Sequence, residues 1–360
     1  LFTGLLTSFK YLQHWAPCYD FGIFSQMFNY MKETLQPLTT CERDGLLSHF
    51  AVHFSPIYYL LLPFFFIFPS PVTLLMGQAA IIASGLIPLY LICKRHKLSN
   101  AAVILFSLCY VLLPSMANGC FFFLHENKFL TPLILWLAFA LEKNKWIPSV
   151  IFTLLLLAVK EDAPVYAAVL GLYFIVSRRN ISKGALVFVL SIIYFITVSY
   201  FMSKYGLGTM SYRYDNFIYD GSGSLFTVIK AVILNPIYTV HEAFDEEKIK
   251  FILQMLVPLA FMPLMIKKPS RIILLIPFIL LNLMSDYTYQ HNINFQYTYG
   301  SAAFLFYLMI LNYQDMKPGF RCKVLAVAAT SSIFMFMCNT YYRTSGYESY
   351  KTDKNSGAKA

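Results

Sequence analysis

Apolar runs of 13 to 22 residues, separated by short polar loops, recur at 72–93, 100–119, 129–141, 146–160, 163–177, 184–203, 251–266, 271–284, 297–313 and 321–338. The longer ones approach the ~20 residues a helix needs to cross the hydrocarbon core. They are apolar on all sides rather than along one stripe, as lipid-embedded or deeply buried helices are. Period-two alternation, the mark of a membrane barrel, is missing, and a backbone in lipid must satisfy its own hydrogen bonds. The pattern predicts one all-α domain over 1–360, a polytopic bundle of about ten or eleven transmembrane spans.

The remaining segments take their meaning from that frame. The stub Leu1-Phe2-Thr3-Gly4-Leu5-Leu6 reads as the end of a first helix that starts upstream. Residues 10–53 form a first outer loop with helical content, starting with a helix over Phe21–Met31. Core helices occupy 72–203 and C-terminal helices 251–338, separated by an outer loop at 204–250 whose flexible part is Gly221-Ser222-Gly223-Ser224. The tail, 344–360, is polar and expected to be disordered. The run 54–68, with Pro63 inside, is short for a span and reads as an interfacial or re-entrant helix. Were it to cross, the basic loops would alternate between faces.

Composition agrees: 58% of residues are hydrophobic, 13% are charged and the mean hydropathy is +0.58, against the ~25% charged of ordinary soluble chains. The net charge of +10 would fit a nucleic-acid partner, but its placement argues against one. Half of the 28 Lys and Arg lie in five short loops, near 94–97, 143–145, 178–183, 267–271 and 317–323, where the acids are Glu142 and Asp315 alone. This is the positive-inside signature of a multi-pass protein of the cell membrane. The seven cysteines show no metal-type spacing. Cys18 and Cys41 share the first outer loop and can pair, though free thiols fit better.

With that topology the unusual polar groups fall at the outer helix ends. Asp20 lies in Tyr19-Asp20-Phe21-Gly22-Ile23-Phe24, where desolvation would raise its pKa and make it a better base, or where it caps the next helix. His49 and His53, four apart, suit a phosphate or ordinary interfacial hydrogen bonds; a metal reading lacks the Glu of the His-Glu-x-x-His pattern. Glu126 follows an aromatic run, with Asn127 and Lys128 beside it to help hold a polar ligand. Lys160 and Glu161 read either as a ligand site or as a plain ion pair, and Asp162 as an N-cap ahead of Pro164. His291, Asn292, Asn294 and Gln296 crowd one tyrosine-rich loop and suit a hydroxyl-rich ligand.

Several stretches, in this order, resemble a bacterial and archaeal family of predicted membrane proteins, domain of unknown function 2079. They are Tyr19-Asp20-Phe21-Gly22-Ile23-Phe24-Ser25-Gln26, His53-Phe54-Ser55-Pro56, Pro88-Leu89-Tyr90, His125-Glu126, Lys160-Glu161-Asp162-Ala163 and Gln296-Tyr297-Thr298-Tyr299-Gly300. That family is similar to the glycosyltransferase C superfamily, which implies a GT-C-like fold and a sugar donor on polyprenyl phosphate. The resemblance makes Asp20 the base, with Glu126 and Glu161 orienting the acceptor or the sugar. In the transferase reading, Lys160, His49 or His53 would steady the departing phosphate, and Gln26, His291 and Gln296 are further substrate-binding candidates. Two departures stand out. The first loop offers only Asp20 where an Asp-x-Asp metal pair would be looked for, so a divalent metal cofactor stays open. Family members often carry His at the position of Gln296. The expected partners are a polyprenyl-phosphate-linked sugar at the extracytoplasmic face and the lipid bilayer, with no nucleic acid and the oligomeric state open. The competing reading is a transporter or lipid-handling protein with Lys160 and Glu161 as an ion or substrate site. No internal repeat supports it.

Overall fold

Helices make up almost all the regular structure of the computed structural model, which describes residues 1–14, 18–43, 45–218 and 225–344. Gly221-Ser222-Gly223-Ser224 and the tail from 345 onward lie outside the described residues. The centre of the bundle is the helix Tyr299–Asp315, buried without interruption from Tyr299 to Tyr313. Its side chains are apolar around the whole circumference, so it has no face to offer water and collects neighbours on every side. Leu130–Glu142 and Ala163–Val176 pack nearby, and Pro318–Thr344 covers Asn100–Leu112. Ile192, Ile193 and Ile196 on Ile181–Tyr205, and Ile333, Phe334 and Met337 on Pro318–Thr344, point outward and stay exposed. Bare aliphatic faces of that extent suit lipid.

Among the described residues, three helices are long and apolar enough to cross a membrane: Pro71–Arg95, Ile181–Tyr205 and Pro318–Thr340. Asn100–Leu112 and Pro114–Cys120 together pass as a fourth, bent by 41°. The other expected spans are shorter or broken, so they are not uninterrupted membrane-length helices. Trp146–Leu157 and Ala163–Val176 rise only about 18–21 Å at 1.5 Å per residue. Prolines explain the breaks, because each removes a backbone donor and clashes with the preceding turn. Pro114 sits at the bend. Pro258, Pro263 and Pro269 sit in the short 3₁₀ turns that replace a regular helix through 257–275, and a π-helical turn, Phe278–Leu283, follows Pro277.

The first outer loop contains the helix Cys18–Thr34 and a minimal antiparallel pair, Leu38–Thr39 with Leu47–Ser48. The run 54–68 folds as a 3₁₀ turn, Pro56–Leu60, and a six-residue helix, Leu62–Ile67. Six residues rise about 9 Å, far too little to cross. The outer loop 204–250 is itself largely helical, with Ser211–Phe217, Leu225–Leu234, Pro236–Ala243 and the start of Glu246–Leu256.

The five basic loops meet at one end of the bundle, through the two acids they contain. Glu142 receives His96 Nε2 at 2.8 Å, Tyr307 OH at 2.7 Å, Arg95 Nε at 3.1 Å and Arg179 Nη1 at 3.4 Å. Asp315 takes Arg271 Nη1 at 2.6 Å and Lys268 Nζ at 3.5 Å. Gln314 donates to the His96 carbonyl at 2.9 Å and so joins the two clusters. Leu130–Glu142, Ala163–Val176 and Tyr299–Asp315 each run from this basic end to an opposite end where Glu126, Asp162 and Gln296 stand.

Candidate functional site

At that opposite end the first outer loop folds down over the helix termini. Asp20 lies in the first turn of Cys18–Thr34, not at an N-cap, because the helix starts earlier than the apolar pattern implies. Gln26, one side of the same helix, pins the loop. Its Oε1 accepts from Thr39 Oγ1 and Thr40 N, both at 2.8 Å, and from Cys41 N at 3.2 Å. That leaves Gln26 as a tether away from the cavity. Cys41 is a free, exposed thiol.

The chain then turns through His49–Ala51, capped by Ser48. His49 is buried and its Nδ1 meets Glu42 Oε2 at 2.8 Å. His53 Nδ1 meets Glu161 Oε1 at 2.8 Å, and Phe54 N donates to Glu161 Oε2 at 3.2 Å. Both oxygens of Glu161 therefore hold the outer loop to the corner between Trp146–Leu157 and Ala163–Val176. The third engaged pair is the deepest. Lys160 Nζ lies 2.7 Å from Glu126 Oε1, with both side chains almost wholly buried, and Tyr58 OH donates to Glu126 Oε2 at 2.7 Å. Lys128, expected to help hold a ligand, is fully buried and donates to the Phe123 carbonyl instead. Asp162 stands at the N-cap position as expected, but its side chain makes no capping bond.

Asp20, Glu126, His49, His53, Lys160 and Gln296 line one cavity of about 210 Å³, together with Glu42, Tyr287, Tyr297 and Arg213. Glu161 lines a neighbouring apolar cavity of about 350 Å³, which shares Met210 and Arg213 with the first. His291 lines neither; it is buried with Nε2 3.8 Å from Glu247 Oε2. Gln296 Oε1 is buried without a hydrogen-bond partner at the polar cavity's wall. Pro88-Leu89-Tyr90 sits in Leu86–Arg95, toward the basic end and away from the site.

The carboxyls here divide into two kinds. Burial alone would raise Glu126, but Lys160, His125 and His53 hold it well below the usual carboxylate range. Glu161 is likewise held low against burial, by His53 and Lys160. Asp20 moves the other way, raised by burial and by the Glu126 and Glu42 carboxylates, with Lys128 and Lys160 opposing. Asp162 is also raised, chiefly by burial. Such a split is how neighbouring carboxyls take different proton roles. Burial and Lys128 push His125 well below its ordinary value, and its Nε2 sits 3.7 Å from Asp20 Oδ2, beyond a hydrogen bond. Among the described carboxyls that line the polar cavity, Asp20 alone has no hydrogen-bond partner, while Asp162 on the apolar cavity also keeps a buried, unpartnered Oδ1. Among the described residues no group of three or more His, Cys, Asp or Glu is arranged to hold a metal ion. Glu42, Glu126 and Glu161 are each engaged by a basic group, His49, Lys160 and His53 in turn.

Arg213 itself was not singled out from the sequence, although Tyr287 and Tyr297 beside it belong to the tyrosine-rich loop. The one available signal was a lone Arg between Tyr212 and Tyr214 in an outer segment. Glu42 and Tyr58 carried no local signal at all.

The family model described as predicted membrane protein (DUF2079) matches residues 14–353. No curated protein and no solved structure matches.

Proposed function

The chain belongs to the DUF2079 family of predicted membrane proteins, and from that premise we propose that it is a membrane-embedded, glycosyltransferase-like protein. In this reading it transfers a sugar from a polyprenyl-phosphate donor to an acceptor hydroxyl at the extracytoplasmic face. The observation that carries the reading is the state of Asp20. Its carboxyl is partly exposed, raised in pKa and unengaged, on a polar cavity whose other carboxylates are held ionised by bases. A carboxylate with a raised pKa is a stronger base than a free one, and it is accessible to a substrate proton.

The acceptor O–H gives its proton to Asp20 as its oxygen bonds to the anomeric carbon. The bond from that carbon to the phosphate oxygen breaks, and the phosphate leaves with the electron pair, inverting the configuration. Glu126 and Lys160 form the floor of the cavity, and Glu161 and His53 fix the outer loop that carries Asp20. The basic loops at the far end of the same helices support the extracytoplasmic assignment.

The test is reconstitution with labelled polyprenyl-phosphate sugars, comparing the wild type with Asp20→Asn. Loss of a general base is expected to lower turnover about 10²–10⁴-fold. Equal turnover would remove Asp20 as the base. A wild type inactive with every donor would favour a carrier instead.

A further inference from the structure

Arg213 is 6% exposed, and its guanidinium stands where the polar cavity and the apolar cavity meet. Its contacts are all neutral. Nη2 approaches Met210 Sδ at 3.0 Å, and Nη1 lies 3.0 Å from the Gln290 oxygen with that amide in its satisfied orientation. The rings of Tyr287 and Tyr297 lie 4.9 and 5.1 Å away. Nε is buried with no hydrogen-bond partner. Among the described residues no carboxylate lies within ion-pair distance. Its backbone is fixed, since the Arg213 carbonyl accepts from Asp286 N at 2.8 Å and Ser285 Oγ at 3.2 Å. Asp162, on the wall of the second cavity, acts on it only from beyond contact distance, so the guanidinium is buried without a paired counter-charge, which is costly, and its fork of donors matches a phosphate. The second cavity supplies apolar walls, among them Phe195, Val228 and Leu280, and Ile229 at 57% exposure stands on its open side.

We infer that Arg213 and this second cavity bind a single-chain lipid phosphate, with the headgroup on the guanidinium and the first part of the chain along Phe195, Val228 and Leu280. The inference deepens the transferase reading and rests on it for the isoprenoid nature of the chain. It also explains why two cavities of opposite character share one cation: the phosphate faces the polar side and the chain leaves toward lipid.

The experiment measures binding of a fluorescent C55 polyprenyl phosphate to the full chain in detergent, with the matching polyprenol and inorganic phosphate as competitors. Polyprenyl phosphate is expected to compete at least about tenfold better than either, since a charge-assisted bidentate contact is worth that much. Arg213→Gln should weaken binding by a similar factor, Arg213→Lys by less, and Val228→Trp should block the chain and weaken it too. Polyprenol competing as well as its phosphate, or Arg213→Gln binding as wild type does, would overturn the inference. If Arg213→Gln fails to fold, the competitor comparison on wild type and the Val228→Trp variant decide. Displacement by phosphatidylglycerol as strong as by polyprenyl phosphate would overturn the single-chain assignment. This assay measures binding alone, so Arg213-dependent binding together with a wild type inactive in the reconstitution assay would sink the transferase reading and leave the lipid-phosphate site standing.

Discussion

Glu126 and Lys160 are each about 97–98% buried and 2.7 Å apart, so neither can lose its partner cheaply. Glu126→Gln leaves an ammonium in a low-dielectric site, and removing one member of such a pair costs about 3–5 kcal/mol. A lower unfolding temperature in detergent is expected, with partial recovery in the Glu126→Gln, Lys160→Met double variant. Additive losses would show that the pair is not coupled. Asp20 makes the opposite case. Its folded pKa is raised, so the native state binds its proton more tightly than the unfolded chain does. The stability it contributes is full below the unfolded value near 3.8 and is lost as pH rises through the folded pKa. Asp20→Asn should therefore match the wild type in acid and melt higher near neutral pH, while a lower melting temperature at both pH values would contradict the assignment. Residue types were legible in the sequence here, because an Asp between aromatics signals desolvation. Partners were not. His49, His53 and Lys160 read either as groups able to meet a phosphate or as ordinarily bonded and paired groups, and only the fold shows that each is engaged, and by which carboxylate.

Ala163–Val176 and Ile181–Tyr205 form a tight helical hairpin through Gly171 and Gly184. A Cβ on Gly171 would come within 2.7 Å of the Gly184 carbonyl oxygen and 2.9 Å of Phe188 N. Both are backbone atoms that cannot swing aside. Small residues that let backbones approach are a common device of membrane helices. Gly171→Ala should cost about 1–3 kcal/mol by overpacking, measured as a fall in unfolding temperature; an unchanged value would show that the hairpin can spread freely. At this scale apolar runs located helices well, since burial on all sides needs only composition. They were weaker on continuity and ends. Asp20 resembled a cap, but it lies inside the helix Cys18–Thr34, and the runs 251–266 and 271–284 lose regular α-helix after Leu256 to prolines, 3₁₀ turns and a π-helical turn.

Across the whole molecule, Arg95, Arg179, Lys268 and Arg271 gather on Glu142 and Asp315 at one end, and the cavity lies at the other. Exposed Cys41 in the first outer loop and exposed Cys322 among the last basic residues report on the two ends. Kept singly, Cys41 should react with a membrane-impermeant maleimide from outside intact cells, and Cys322 only after permeabilisation. Labelling of both from one side would break the topology and with it the shared outward site. The all-α membrane character, the common face of the basic loops and the identity of the polar candidates were written in the sequence, because hydropathy and charge act through composition and short spacing. Only the folded chain decided which bases are neutralised, that Gln26 ties a hairpin while Arg213 stands without an ion-pair partner between two cavities, and that Asp20 is left unengaged. Those outcomes depend on side-chain contacts whose sequence separation runs from 7 residues for His49 and Glu42 to 108 for His53 and Glu161, and no local pattern encodes which partner the fold brings up.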